Sequence, residues 1–448
     1  MISTVELAKR VMVSAFAMTR STEYAARRFG VAPFLPRLFA DRFTHLGGIP
    51  DEDFRRQLAG CRSFEDACWA GYWERFADEH LARADAALSR LAGPTTQQIL
   101  DPSAAFEVRA LGDLIAPAVT ILADRGPVAD PKAVQRFCAE HPGASDAAVA
   151  LDGLIKAMVY QFAAAWPGWS PHRLHAYEKS HWLGEVTLTA LAPAMGVRFE
   201  TLQIPIGDSD RVRGYLILPS GAGPAPTVLV TNGIEGTLAE ATLPMLKYRA
   251  QGMGMFVMEM PGTYSYREPL SVVSESVYST VIDFLAAYPG VDADRIGMIG
   301  FSFGGYWSTR MAAVDRRLKV AVANGAPTHR SFGALSSIGM PEIMVSTFRD
   351  TVAARSMAEL SRKMAKLSLA QHYRKIEIPF LVINGAHDTL ISTQDSIDIA
   401  IGAPHAQLVL YEGDDHCAMG HAEEWSELST GFLRDHLFTC DAVEAATQ

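Results

Sequence analysis

From about Gly196 onward the chain stops repeating its apolar residues every three or four positions and delivers them in short unbroken runs. The runs lie at 227–231, 255–260, 295–299, 320–323, 380–383 and 408–411, and helix-patterned stretches such as 272–287 and 304–313 separate them. A strand that is apolar on both faces must be covered on both, and strands alternating with helices achieve this as a parallel sheet between helical layers. Ahead of these runs, 197–204 and 212–218 alternate apolar with polar residues about the turn Gly207-Asp208-Ser209-Asp210, the pattern of an antiparallel pair. The expectation is an α/β unit over 196–438, with a mostly parallel eight-stranded sheet carrying helices on both faces and a tail at 439–448. One stretch breaks the alternation: 328–375, containing Met340, Met344, Phe348, Met357 and Met364, is too long for an ordinary crossover and is predicted to be an insertion over the site.

The first 195 residues read as helix. Phe64, Ala67, Cys68, Tyr72 and Phe76 recur at helical spacing, and loop signals such as Gly93-Pro94, Gly126-Pro127 and Pro167-Gly168 divide the pattern. Two apolar stretches need separate attention. The one at 11–18 follows Glu6, Lys9 and Arg10 at helical spacing, and no small-x-small cleavage site comes after it, so it is predicted as an amphipathic first helix. The one at 147–166 is interrupted by Asp152, Lys156 and Gln161, which predicts a buried helix and not a membrane span. Aromatic residues are dense here (Trp69, Trp73, Tyr160 and Trp166 among them), and most are expected to pack helices together.

Composition narrows the classes of partner. A formal net charge of −10 with no long basic run argues against nucleic acid. Five cysteines (Cys61, Cys68, Cys138, Cys417 and Cys440) are odd in number and scattered, which suits a reducing compartment and matches no zinc spacing. No phosphate-cradling loop or dinucleotide fingerprint occurs, so neither a cofactor nor a metal is expected. The expected setting is cytoplasmic, with a small-molecule substrate and no membrane, and a homodimer is a reasonable assembly for the helical half.

The chemistry is concentrated at three places. In Arg295-Ile-Gly-Met-Ile-Gly-Phe-Ser-Phe-Gly-Gly-Tyr306 a predicted strand runs into Gly300-x-Ser302-x-Gly304 and a helix follows. A serine at so sharp a turn is exposed at the carboxyl end of the sheet, and the small residues around it let strand and helix approach each other. Its hydroxyl needs a base, and the base needs an orienting acid. Asp388 lies just past the carboxyl end of the strand at 380–383; the competing role is capping of a helix beginning near Ser392. His416 follows the last strand in Glu-Gly-Asp-Asp-His-Cys, with His421 as the rival base, while His387 and His405 read as surface residues. For the developing oxyanion the expected donors are the N–H groups of Phe303 and of Ile234, the latter in the loop Asn232-Gly-Ile-Glu-Gly-Thr237. Gly233, Glu235 and Tyr306 are candidate pocket residues; Glu235 is equally suited to capping a helix near Leu238.

Together these segments resemble the FrsA-like branch of the α/β-hydrolases. The resemblance rests on Asn232-Gly-Ile-Glu-Gly-Thr, Gly300-Phe-Ser-Phe-Gly-Gly-Tyr, Asn384-Gly-Ala-His-Asp388 and Gly413-Asp-Asp-His416-Cys, and it extends over roughly 198–436. It implies an α/β-hydrolase catalytic domain, a helical N-terminal domain covering the active site, and a triad of Ser302, Asp388 and His416. Members of the branch cleave esters or carbon–carbon bonds, some in secondary metabolism. Two departures stand out. Where the family often has Asp-Gly-Pro-Gly-Gln-Gly, this chain has Glu259-Met-Pro-Gly-Thr-Tyr264. A carbon–carbon-cleaving member also uses an extra glutamate after the strand that follows the nucleophile, whereas 324–333 here holds no carboxylate and the first is Glu342.

The expected function is a serine hydrolase acting on an ester or an activated ketone of a bulky apolar, aromatic or polyketide-like compound. An acyltransferase or cyclase would use the same acyl-enzyme with a nucleophile other than water. A non-catalytic binding protein on the same scaffold is the third reading, and the intact nucleophile, acid and base weigh against it.

Overall fold

The structure, a computed structural model, describes residues 4–36, 38–104, 106–208, 210–221, 223–264, 266–333 and 339–438. Ser209 of the predicted turn, Cys440, the 439–448 tail and positions 334–338 of the predicted insertion lie outside the described residues.

Eight strands form one sheet: β1 (Val197–Ile206), β2 (Asp210–Pro219), β3 (Ala225–Thr231), β4 (Gly254–Met258), β5 (Val291–Phe301), β6 (Leu318–Asn324), β7 (Phe380–Gly385) and β8 (Ala406–Tyr411). Their order is β1-β2-β4-β3-β5-β6-β7-β8. β2 runs antiparallel to β4, and every pairing from β4 through β3 to β8 is parallel. The mostly parallel eight-stranded sheet read from the sequence is thus present, and the unbroken apolar runs are its central strands: β3, β4 and β7 are buried throughout.

This order fixes where chemistry can occur. β3 lies between β4 and β5, so the chain leaves β3 to one side and returns past it to the other. Loops at such a switch point diverge from adjacent carboxyl ends and leave a crevice between them. The register aligns Thr231 with Gly300, Phe301 with Asn324, and Asn324 with Ile383, so the ends of β3, β5, β6 and β7 form one edge.

The chain divides into two compact units, and the division differs from the predicted 1–195 and 196–438 boundaries. One unit comprises 1–22, 202–238 and 250–448; the other comprises 23–201 and 239–249. The first helix (Thr4–Thr19) goes with the sheet, where the Gly339 N–H donates to Ser14 Oγ at 2.8 Å and the Thr22 N–H to Glu342 Oε2 at 3.3 Å. The segment 239–249 goes with the helices because Glu240 pairs with Arg42, and Arg249 reaches Asp124 at 2.8 Å and the Met195 carbonyl at 3.2 Å. Sequence periodicity does not register such long-range ion pairs.

In the helical unit the long helices Asp66–Arg90, Ser145–Ala165 and Pro171–Leu191 pack against one another. Helix Pro142–Ala165 is long and apolar enough to cross a membrane by composition, but 83% of its apolar window is buried in the protein. The aromatic residues are largely spent on packing: Phe39 lies 4.6 Å from Trp166 and 4.9 Å from Phe43 between ring centroids, and Phe54 stacks on Trp73 at 5.1 Å.

In the sheet unit, 328–375 contains the helices Glu342–Thr351 and Met357–Ala365. Its start is anchored by Asp395, a wholly buried carboxylate on helix Thr393–Gly402. Asp395 accepts the N–H groups of Thr328, His329, Arg330 and Ser331 at 2.7–3.1 Å and the Ser331 hydroxyl at 2.6 Å. Ser331 Oγ in turn accepts the Ser392 N–H at 2.9 Å, tying this loop to the one after β7. A buried charged acceptor serving five donors at once is strongly stabilising, because its loss leaves those donors without their partner. Asp395→Asn should therefore lower unfolding free energy by about 2–4 kcal/mol in urea titration; a loss below about 1 kcal/mol would mean the loop is held by other contacts.

Candidate active site

Ser302 occupies the turn between β5 and the helix Phe303–Val314, with φ +54° and ψ −122°. A non-glycine residue adopts these angles only when its surroundings impose them. Here the neighbours do so. A Cβ on Gly300 would lie 2.0 Å from the Gly304 carbonyl oxygen, and one on Gly304 would lie 2.3 Å from that of Thr231. The two glycines thus allow strand, turn and helix to meet at backbone contact, and no larger residue fits either place. The Ser302 N–H is satisfied by the Asn324 carbonyl at 2.8 Å, and the Ser302 carbonyl accepts the Gly305 N–H at 2.8 Å.

The three residues singled out in sequence come together. His416 Nδ1 donates to Asp388 Oδ2 at 2.7 Å, which leaves Nε2 to accept the Ser302 hydroxyl at 2.8 Å. The Asp388 side chain is fully buried and that of His416 is 5% exposed. Asp388 Oδ1 takes the N–H groups of Leu390 and Ile391 at 2.8 and 2.9 Å, while Oδ2 also accepts Asn384 Nδ2 at 2.9 Å. This carboxylate is directed at His416 and not at the cap of helix Thr393–Gly402, whose N-cap is Ser392. Burial alone would push the His416 imidazole down. The Asp388 carboxylate, by charge and by hydrogen bond, and the neighbouring Cys417 thiol outweigh burial and hold it well above its ordinary value.

The rival histidines are elsewhere. His421 pairs with Asp414 Oδ2 at 2.8 Å and stacks on Tyr411, with ring centroids 4.6 Å apart. His387 and His405 are exposed.

The loop after β3 abuts Ser302: a Cβ on Gly233 would lie 3.0 Å from Ser302 Cβ and 3.3 Å from its Oγ. Among the described residues, no acceptor takes the N–H of Ile234 or of Phe303. Glu235 is half-buried, and its carbonyl accepts the Tyr264 hydroxyl at 2.6 Å. Tyr306, a candidate pocket residue, is fully buried one helical turn beyond Ser302, in ring contact with Phe303 at 5.2 Å and Trp307 at 5.0 Å. The Phe303 ring also meets Phe332 at 6.0 Å and Phe348 at 6.3 Å, both from the 328–375 stretch.

Two residues without an assigned role in the sequence support His416. Asn324 and Asn384, both wholly buried, end β6 and sit in β7. Asn324 Nδ2 donates to the Cys417 carbonyl at 3.1 Å, and Asn384 Oδ1 accepts the Cys417 N–H at 3.0 Å. They clamp a turn in which Cys417 and Ala418 have φ +57° and +49°, an uncommon pair for residues with side chains. A polar side chain closing an otherwise apolar strand was the available signal. Among the described residues, no cluster of His, Cys, Asp or Glu is arranged to hold a metal ion.

The sheet order, the serine turn and the placement of its partners define an α/β-hydrolase. More narrowly, the chain belongs to the FrsA-like family: the Esterase FrsA-like family model matches residues 134–409. It is 25% identical over 211 residues to a 2,6-dihydropseudooxynicotine hydrolase of Paenarthrobacter nicotinovorans, covering 45% of this chain and 55% of that protein. To Esterase FrsA of Vibrio cholerae it is 28% identical over 237 residues, covering 51% and 57%. The chain thus spans about half the length of the curated relatives it matches. Among solved structures, that of a 2,6-dihydroxy-pseudo-oxynicotine hydrolase aligns with a TM-score of 0.64 at 19% identity, covering 89% of this chain and 96% of that one. Wild-type AbyA5 aligns with a TM-score of 0.56 at 20% identity, covering 77% and 100%. Both structural likenesses concern the fold.

The pH dependence of this site follows from the direction of the His416 shift. A base must be neutral, so activity falls as pH drops through the imidazole pKa. Removing the Asp388 charge takes away the strongest influence opposing burial, which lowers that pKa. Asp388→Asn should therefore move the acidic limb of kcat/KM to lower pH and reduce its plateau about 10,000-fold. An acidic limb that stays in place would show that Asp388 does not set the protonation of His416.

Proposed function

We propose that the protein is a serine hydrolase that cleaves an ester, or an activated ketone C–C bond, of a bulky apolar or aromatic compound through an acyl-enzyme. The observation that carries this reading is the unbroken link from Ser302 Oγ to His416 at 2.8 Å and on to Asp388 at 2.7 Å, at a serine turn of constrained geometry. Ser302 Oγ attacks the substrate carbonyl as His416 Nε2 takes its proton, and Asp388 steadies the imidazolium. The negative oxygen that forms is received by the N–H groups of Phe303 and Ile234. His416 then gives its proton to the leaving group as the scissile bond breaks. Water, deprotonated by His416, attacks the acyl-enzyme and releases the acid and Ser302.

The grouping of Phe332 and Phe348 on Phe303 beside the nucleophile supports an apolar or aromatic acyl group. An ester is better supported than a carbon–carbon bond. A carbon leaving group calls for an additional acid, yet 324–333 contains no carboxylate and Glu342 accepts the Thr22 N–H. The esterase and hydrolase names of the relatives agree with this class.

A fluorophosphonate probe should label Ser302 and nothing else on peptide mapping, and Ser302→Ala should lose both label and turnover. Along a series of p-nitrophenyl esters from acetate to octanoate, kcat/KM should rise by up to about fourfold per methylene, since a buried CH₂ contributes ~0.8 kcal/mol. Label on another residue would refute the nucleophile, and a flat or falling series would refute the apolar acyl site.

A further inference from the structure

The loop carrying the Ile234 amide is held by a residue outside it. The Gly236 N–H donates to the Gly233 carbonyl at 3.2 Å, closing a tight turn with Ile234 and Glu235 at its centre. The same peptide unit presents its carbonyl, that of Glu235, to the Tyr264 hydroxyl at 2.6 Å. Tyr264 lies in the segment after β4 and is 7% exposed. Its φ is +38°, in the region that glycine enters freely and a bulky side chain enters at a cost. At this backbone position the side chain makes a definite contact, the hydroxyl bond to the Glu235 carbonyl.

Described residues on both sides of Tyr264 are bonded to the rest of the unit. Thr263 Oγ1 donates to the Met260 carbonyl at 2.7 Å, and the Tyr266 N–H to the Thr263 carbonyl at 2.9 Å. The Tyr266 hydroxyl donates to the Glu259 carbonyl at 3.1 Å, and the Asp210 carboxylate accepts the N–H groups of Arg267 and Glu268 at 3.1–3.2 Å. At the far end the Leu270 N–H donates to the Thr351 carbonyl at 2.8 Å.

We propose that Tyr264 is a positioning residue for the oxyanion hole, standing at the head of a hydrogen-bond relay that ends at the Ile234 N–H. The phenol donates to the Glu235 carbonyl, and the N–H of that peptide donates to the Gly233 carbonyl. The N–H on the other side of the Gly233–Ile234 peptide faces the developing oxyanion. Each peptide accepts on one side and donates on the other, so each link polarises the next. The relay also fixes two peptide planes before charge develops, which is the condition for an oxyanion donor to favour the transition state over the ground state. The inference rests on the reading of Ile234 as an oxyanion donor.

The test uses the full chain, p-nitrophenyl butyrate as substrate and an alkyl trifluoromethyl ketone that adds to Ser302 as the transition-state probe. Tyr264→Phe should lower kcat about tenfold, leave KM within about twofold, and weaken the ketone by the same factor as kcat/KM. A purely structural role would alter melting temperature or KM without that matched loss. Tyr264→Gly relieves the left-handed backbone but lacks the phenol, and it should lose activity to the same extent. The relay is overturned if either variant keeps wild-type kcat and ketone affinity, or if glycine restores what phenylalanine loses. An active Ser302→Ala variant would overturn the nucleophile reading and the relay with it, whereas an inactive one beside an unimpaired Tyr264→Phe would sink the relay alone.

Discussion

The backbone contact between Gly300 and Gly304, with Ser302 forced to φ +54° between them, is the constraint on which the site depends. A strained residue of this kind costs about 1–3 kcal/mol and persists only where packing over-determines it. β5 is paired on both sides in the middle of the sheet, its following helix packs on β5 and β6, and the Ser302 N–H is bonded to the end of β6. The hydroxyl therefore points off the sheet edge in one direction. A freely rotating serine on a loop would have to be ordered before it could react, and here that ordering is completed on folding.

The histidine side repeats the device. His416 precedes two left-handed residues, Cys417 and Ala418, and the buried asparagines at the ends of β6 and β7 hold the intervening backbone. Asn324 serves both halves, since its carbonyl accepts the Ser302 N–H and its side-chain amide donates to the Cys417 carbonyl. Asn384 likewise binds the Asp388 carboxylate with one atom and the Cys417 N–H with another. Ser302, His416 and Asp388 are thus referenced to two adjacent strand ends. Tolerances between them are set by the sheet and not by loop conformation, which is how a constellation is kept within a few tenths of an ångström.

Much of this was legible in the residues. Unbroken apolar runs marked the buried strands, because a strand covered on both faces leaves no polar position to interrupt it. Ser302, Asp388 and His416 could be placed because each follows a recognisable strand in a fixed chain order. What could not be read depends on contacts distant in sequence. Helix Thr4–Thr19 looks like the helices that follow it, yet it belongs with the sheet; 239–249 sits among strands, yet it belongs with the helices through Arg42–Glu240 and Arg249–Asp124. Tyr306 falls one turn after the nucleophile, where periodicity cannot distinguish a pocket wall from core. Glu259-Met-Pro-Gly-Thr-Tyr264 was visible as a departure from the family pattern, but its meaning required the backbone angle at Tyr264 and its bond to Glu235.

In the proposed function, Ser302, His416 and two waiting backbone amides form one preorganised acyl-transfer site. A crystal structure of the trifluoromethyl ketone adduct tests it most directly. The account predicts a tetrahedral adduct on Ser302 Oγ, its oxygen about 2.7–3.1 Å from both the Phe303 and Ile234 nitrogens, with His416 still bonded to Asp388. An adduct on another residue, or one whose oxygen points away from those amides, would contradict it.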